Sequence, residues 1–235
     1  MTAIFKREFK AYFTAPLGFV VLAITLCFSG YMFYSVNLYN KSSTLDGVFN
    51  SLYLIFVVLM PILTMRSFSD EKRLKTDQLL LTAPVKLPGI VMGKYFAAVV
   101  VMVLASAVTI IYGVVIAFMV TPDWTVIVGN FIGLLLIGGL FITIGIFVSS
   151  MTESQLVSAL VSIIVCILLL LLDQVVSIFH AGTLIVSVVQ FLSLNTRYSN
   201  FCSGVINYSD IVFFLSLQAL FLFLTVRVLD KKRWS

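Results

Sequence analysis

Asp173 is the one acidic residue well inside a long apolar run of this sequence, and Gln174 follows it. A carboxylate held in hydrocarbon is a functional candidate, here a proton or cation site. It stands six residues from the outer end of its run, so the alternative is a group that faces headgroups or caps a helix contact. The other reactive residue types do not converge. His180 is the only histidine, without an HExxH or a nucleophile beside it. Cys27 and Cys166 lie in apolar runs and Cys202 in a polar loop, with no CxxC spacing, which gives neither a metal site nor a disulfide framework. Gly93-Lys94 is the single Gly-Lys pair, but a P-loop would need glycine where Pro88 stands and Ser or Thr where Tyr95 stands. No catalytic residue, metal site or cofactor site is therefore expected.

The elements that must position these residues follow from composition. Of 235 residues, 61% are hydrophobic and 11% are charged, with a mean hydropathy of +1.13. A soluble domain carries about one quarter charged residues, so the lipid bilayer is the first partner. The expected fold is an all-α integral membrane protein in a single domain over 1–235. Crossing about 30 Å of hydrocarbon takes roughly 20 helical residues. Six windows meet that length: 17–36, 48–65, 95–120, 125–150, 156–179 and 211–229. The first is too long for a secretory signal and no small-residue cleavage site follows it, so an uncleaved span is expected. Thr121 to Trp124 reads as a tight turn between two spans. Within the outer loop 180–210, the apolar stretch 183–194 is too short to cross and predicts a short re-entrant or surface helix.

Thirteen of the fifteen Lys and Arg residues fall on one side of this arrangement, leaving only Lys41 and Arg197 on the other. The positive-inside rule then places both termini and the loop 66–94 in the cytoplasm. The same asymmetry accounts for the net charge of +5 without nucleic acid, for which no recognition motif is present.

Three segments could carry function. In 1–16, Phe5, Phe9, Tyr12 and Phe13 share one helical face while Lys6, Arg7 and Lys10 take another, which reads as an interfacial amphipathic helix or as a simple basic anchor. In 66–94, Ser67 and Asp70 have capping-box spacing, Glu71 and Lys75 are an i, i+4 pair, and Leu74 and Leu81 are seven apart. That pattern predicts an amphipathic helix of about three turns ending before Pro84, able to dock a cytoplasmic protein; the alternative is a solvated loop whose charges set topology. In the fourth span, Gly129, Gly133, Gly138, Gly139 and Gly145 permit flexing or close packing, and packing is favoured.

Several of these stretches, in this order, carry a resemblance. Pro61-Ile-Leu-Thr-Met-Arg66, Asp70-Glu71-Lys72-Arg73, Thr76, Leu79 to Val85 and Gly93-Lys94-Tyr95 resemble the cytoplasmic loop of ABC-2 type exporter permeases. Arg7-Glu8, Tyr12-Phe13 and Pro16 resemble that family's N-terminal interfacial helix. Ile144-Gly145, Ser149-Ser150-Met151-Thr152 and Gln155 resemble the junction of its fourth and fifth spans, and Gly204-Val205-Ile206 with Asp210 the start of its last. The likeness covers nearly the whole chain and is closest to six-span permeases of the gliding-motility and nitrous-oxide-reductase-associated kind. Lys75-Thr76-Asp77 stands where the family often has Gly-Thr-Glu, keeping the acidic position.

The resemblance implies that 67–82 is a coupling helix seated in a separate cytoplasmic ATP-binding subunit, with Ser67, Phe68, Asp70, Glu71, Lys72, Arg73, Leu74, Thr76 and Asp77 making that contact. It also implies a second permease chain, identical or not, and a location in the plasma membrane of a prokaryote. The expected function is export driven by ATP hydrolysed on the partner, with no covalent chemistry in this chain. Two rivals remain: a secondary transporter or channel with Asp173 as its coupling site, and a non-transporting anchoring subunit.

Overall fold

Lipid offers a backbone no hydrogen bonds, and among its described residues the chain answers with helices alone. The computed structural model describes residues 2–40, 42, 44–76, 87–119, 121–179 and 193–234, and the side chains of all of these except 173–179, 232 and 234. Asp77, the rest of 77–86 and most of the stretch 183–194 lie outside the described residues; Asp173 falls on a described helix, its side chain outside the description.

Helix α1 (Thr2–Thr14) is joined through Ala15 and Pro16 to α2 (Leu17–Met32), which widens into a π-helix over Phe33–Tyr39. Then follow α3 (Asp46–Thr64), α4 (Arg66–Arg73), α5 (Leu87–Ser106), α6 (Val108–Ala117), α7 (Trp124–Met151), α8 (Gln155–Phe179), α9 (Leu194–Cys202) and α10 (Tyr208–Trp234). Among the described residues, six segments are long and apolar enough to cross a membrane: Leu17–Tyr39, Asp46–Arg73, Leu87–Ala117, Trp124–Met151, Gln155–Leu172 and Tyr208–Lys231. They coincide in order and number with the six windows read from the sequence.

The third span differs at its start. The uncharged window begins at Tyr95, whereas α5 begins two turns earlier at Leu87 and carries Lys94 inside it, 2% exposed. The helix tolerates that charge because carboxylates from two other helices neutralise it, as described below. The tight turn is present: the Asp123 carboxylate caps α7 by accepting from the Thr125 amide at 3.1 Å. The short helix α9 begins at Leu194, the last residue of the stretch expected to form one, where Ser193 Oγ accepts from the Thr196 amide at 3.1 Å.

The core runs along α7, which is buried on most of its circumference. Phe49, Phe56, Met60 and Leu63 of α3 pack with Leu134, Ile137 and Phe141 of α7, all fully buried. The glycines of α7 are where neighbours come closest. A Cβ on Gly133 would stand 2.8 Å from the Phe201 side chain, and one on Gly145 would stand 2.0 Å from Thr64 Oγ1. Close packing, not flexing, is what these positions show. By contrast α2, α8 and α10 leave much of their apolar surface outward, where lipid or another chain must cover it.

Candidate functional site

The break between α3 and α4 is the origin of the site. Pro61 in α3 has no amide proton to give, and the helix turns off at Met65 one turn later. A broken helix leaves amides without partners. Here one hydroxyl from α7 meets them: Ser149 Oγ accepts from the Phe68 and Ser69 amides at 3.0 and 3.1 Å and donates to the Met65 carbonyl at 3.0 Å. Thr64 Oγ1 donates to the Met60 carbonyl at 2.9 Å, in the space that Gly145 leaves.

Two further bonds join α4 to the turn between α7 and α8. Lys72 Nζ, 7% exposed as a residue, donates to the Ser150 carbonyl near the end of α7, where the helix dipole favours a cation. Gln155 Nε2, at the start of α8, donates to Asp70 Oδ1. Asp70 also takes Arg66 Nε at 2.8 Å.

On the opposite flank, Lys94 enters from α5. Its Nζ lies 2.6 Å from the Ser67 carbonyl, 2.9 Å from Glu71 Oε1 and 3.2 Å from Glu8 Oε1, and 4.9 Å from the centre of the Phe68 ring. Arg7 Nη2 completes the knot at 2.6 Å from Glu8 Oε1 and 3.0 Å from Glu71 Oε1. Two cations and two carboxylates from α1, α4 and α5 thus balance one another. The hydrogen bond to Glu8, above all, raises the Arg7 guanidinium beyond its ordinary value. Burial pushes the Tyr12 phenol well above its own, so it stays neutral beside the carboxylates. A cavity of about 200 Å³ opens next to the knot, with Tyr12, Ser67, Glu71 and Lys94 on its wall.

Helix α4 ends after two turns. Lys75 adopts φ 55°, its amide bonds to the Lys72 carbonyl at 3.0 Å, and the Thr76 amide bonds to the Glu71 carbonyl at 2.9 Å. These are the paired bonds of a Schellman stop, which is why the helix is shorter than the three turns that the apolar spacing predicts. The expected contact residues are therefore split. Ser67, Phe68 and Lys72 are buried in this chain, Asp70 and Glu71 are half-buried and bonded within it, and Arg73, Leu74 and Thr76 are exposed.

On α1 the aromatic face forms one column, with Phe5, Phe9 and Phe13 ring centres 6.0 and 5.0 Å apart, and Phe19 of α2 5.3 Å further on. Tyr12 points instead at the cavity.

Six helices long and apolar enough to cross a membrane, an amphipathic helix before the first and a short charged helix after the second are the arrangement to which known families can be compared. A family model for ABC-2 family transporter proteins matches residues 8–234. The chain belongs to the ABC-2 transporter family. No curated protein matches it. The ABC-2 match runs from Glu8 of the knot to the end of α10, so α4, the Ser149 cap and all six spans lie within it.

Glu8, Ser149 and Gln155 were visible in the sequence only as members of stretches resembling the family, and Lys94 beyond that only as a topology-setting cation in the single Gly-Lys pair; nothing in their spacing pairs them with α4. Among the described residues no group of three or more His, Cys, Asp or Glu could hold a metal.

Proposed function

We propose that this ABC-2 chain is the membrane-spanning half of an ATP-driven exporter, and that α4 is the element on which a separate cytoplasmic ATP-binding subunit bears. The observation that carries the proposal is the two-sidedness of α4. One face is fastened to α1, α5 and α7, and the free tip presents Arg73, Leu74, Lys75 and Thr76, with Leu74 64% exposed. An apolar side chain held out among cations on a fastened helix suits a protein socket, in which Leu74 is buried and Arg73 and Lys75 meet acidic groups. Ser67, Phe68, Asp70, Glu71 and Lys72 then act by holding the helix, while Asp77 belongs to the segment outside the described residues.

The charge asymmetry supports the orientation, with both termini and α4 in the cytoplasm of a prokaryotic cell and the helices in its plasma membrane. Six spans are half of the pathway, and a second permease chain completes it. The test is copurification of the ATPase subunit with the permease from the native host. Leu74→Asp and Glu71→Lys are each expected to abolish it; full retention in both rejects the assignment. An ion-gradient transporter would instead move solute without ATP and stop on addition of an uncoupler.

A further inference from the structure

Helix α4 is continuous in sequence with α3, yet the bonds on the page fasten it elsewhere. At Met65 the helical ladder is interrupted, and the amides of Phe68 and Ser69 go to Ser149 of α7. Lys72 holds the Ser150 carbonyl, and Gln155 holds Asp70. The ties to α1 and α5 are of a different kind. They pass through Arg7, whose side chain is 56% exposed, and through Lys94, which pairs with Glu71 and donates to the Ser67 carbonyl from the far end of a four-carbon stem. Ser149 has a one-carbon stem, is fully buried, and grips backbone groups at the bend and in the first turn of α4. It leaves little play.

We infer that α4 rides as one body with the α7–α8 junction and not as an extension of α3, with Ser149 and Gln155 as the positioning residues that pass a load from α4 into α7. The inference rests on the reading of α4 as the ATPase seat. Its consequence is specific: displacement of α4 pivots at Met65 and is delivered to α7, the most buried helix of the bundle. From there it reaches α3 and α10, both packed along α7, through side chains such as Phe141, and Gln218, which donates to the Leu136 carbonyl at 2.8 Å. Asp70 serves this clamp from the α4 side, its Oδ2 held by Arg66 while Oδ1 faces Gln155.

The test uses the permease copurified with its ATPase subunit in lipid nanodiscs, with Cys27, Cys166 and Cys202 replaced and spin labels placed at two pairs of exposed positions. One pair, Arg73→Cys with Leu156→Cys, spans α4 and α8; the other, Arg73→Cys with Val58→Cys, spans the bend. Distances are read by electron-electron double resonance without nucleotide and with ATP trapped on a hydrolysis-deficient ATPase. The expected result is a narrow 73–156 distance that is the same in both states and a 73–58 distance that shifts. In Ser149→Ala/Gln155→Ala the 73–156 distribution broadens and moves with ATP while the ATPase still copurifies. Gln155→Ala alone, at a half-exposed position, gives a smaller broadening and covers the case in which the double variant misfolds.

A 73–156 distance that shifts in the unmutated clamp while 73–58 stays fixed overturns the inference, as does an unbroadened distribution in both variants or no shift in either pair. If no ATPase copurifies with the chain that keeps Arg73, the exporter reading fails; if only the labelled chains lose it, Arg73 belongs to the seat and the exporter reading stands. The clamp is then still read on the permease alone, where broadening in the variants upholds it and its absence rejects it.

Discussion

Each end of the bundle holds a buried ion pair, and the two are built differently. At the end away from α4, Asp210 of α10 is 4% exposed, with Arg197 Nη1 2.6 Å from one oxygen and Asn200 Nδ2 2.9 Å from the other. Both partners lie on α9 within 13 residues of Asp210, and the Arg197 guanidinium rests 4.1 Å from the centre of the Phe213 ring. That cluster is a local staple with both carboxylate oxygens bonded. At the α4 end, Lys94 draws Glu8 from 86 residues away and Glu71 from 23, and Glu71 Oε2 is buried without a hydrogen-bond partner among the described residues. A local staple fixes one turn against its neighbour. A knot of three elements instead makes the position of each depend on the other two.

The largest effect should come from cutting that knot. Lys94→Ala leaves two carboxylates facing each other with only the half-exposed Arg7 between them. Removing one partner of a buried ion cluster costs about 3–5 kcal/mol. Thermal unfolding in detergent should show it as a drop in Tm larger than that of any single change at the opposite end. A smaller drop would mean that the knot is no more cooperative than the staple.

Asp210→Asn should come next. It removes the charge from two bonds but leaves an amide oxygen for Arg197, and loss of a charged hydrogen bond costs roughly 1.5–3 kcal/mol. The comparison breaks if this variant unfolds at a lower temperature than Lys94→Ala.

How these two ends appear in the sequence differs for the same reason. The six spans were legible because uncharged runs of 20 residues need no knowledge of partners, and α1 because its aromatic period is local. Arg197 and Asp210 were both visible but read as loop charges, one of them an outer-side cation, since nothing marks which turn brings them together. Lys94 was counted among the charges that set topology, outside the third span, because the carboxylates that admit it into α5 come from α1 and α4. Ser149 is harder still. A serine at a helix end has many ordinary uses, and its role exists only because Pro61 and Met65 break a different helix, 84 residues from Ser149 at Met65. The stop at Lys75 was hidden by a residue type, since the αL position that usually announces itself with glycine carries lysine here.

Gly145→Ala probes the same joint through shape in place of charge. The new methyl would lie 2.0 Å from Thr64 Oγ1, so α3 and α7 must part where the bend begins. Overpacking of this kind costs about 1–3 kcal/mol. Thr64→Ala in the same chain should recover part of the loss, and additive effects in that double variant would place the strain somewhere other than this contact.

The smallest change in stability is expected at the residue proposed to meet the partner. Leu74 lies just past the last turn of α4, after the knot and the Ser149 cap have done their holding, and its side chain touches mostly solvent. Surface substitutions of this kind fall within about 0.5 kcal/mol, so Leu74→Asp should melt with the unaltered protein while failing to retain the ATPase. Lys94→Ala should lose both together. That contrast separates a residue that meets the partner from one that shapes the helix presenting it. If Leu74→Asp instead lowers Tm as Lys94→Ala does, the tip of α4 belongs to the fold of this chain and the socket must be sought on another surface.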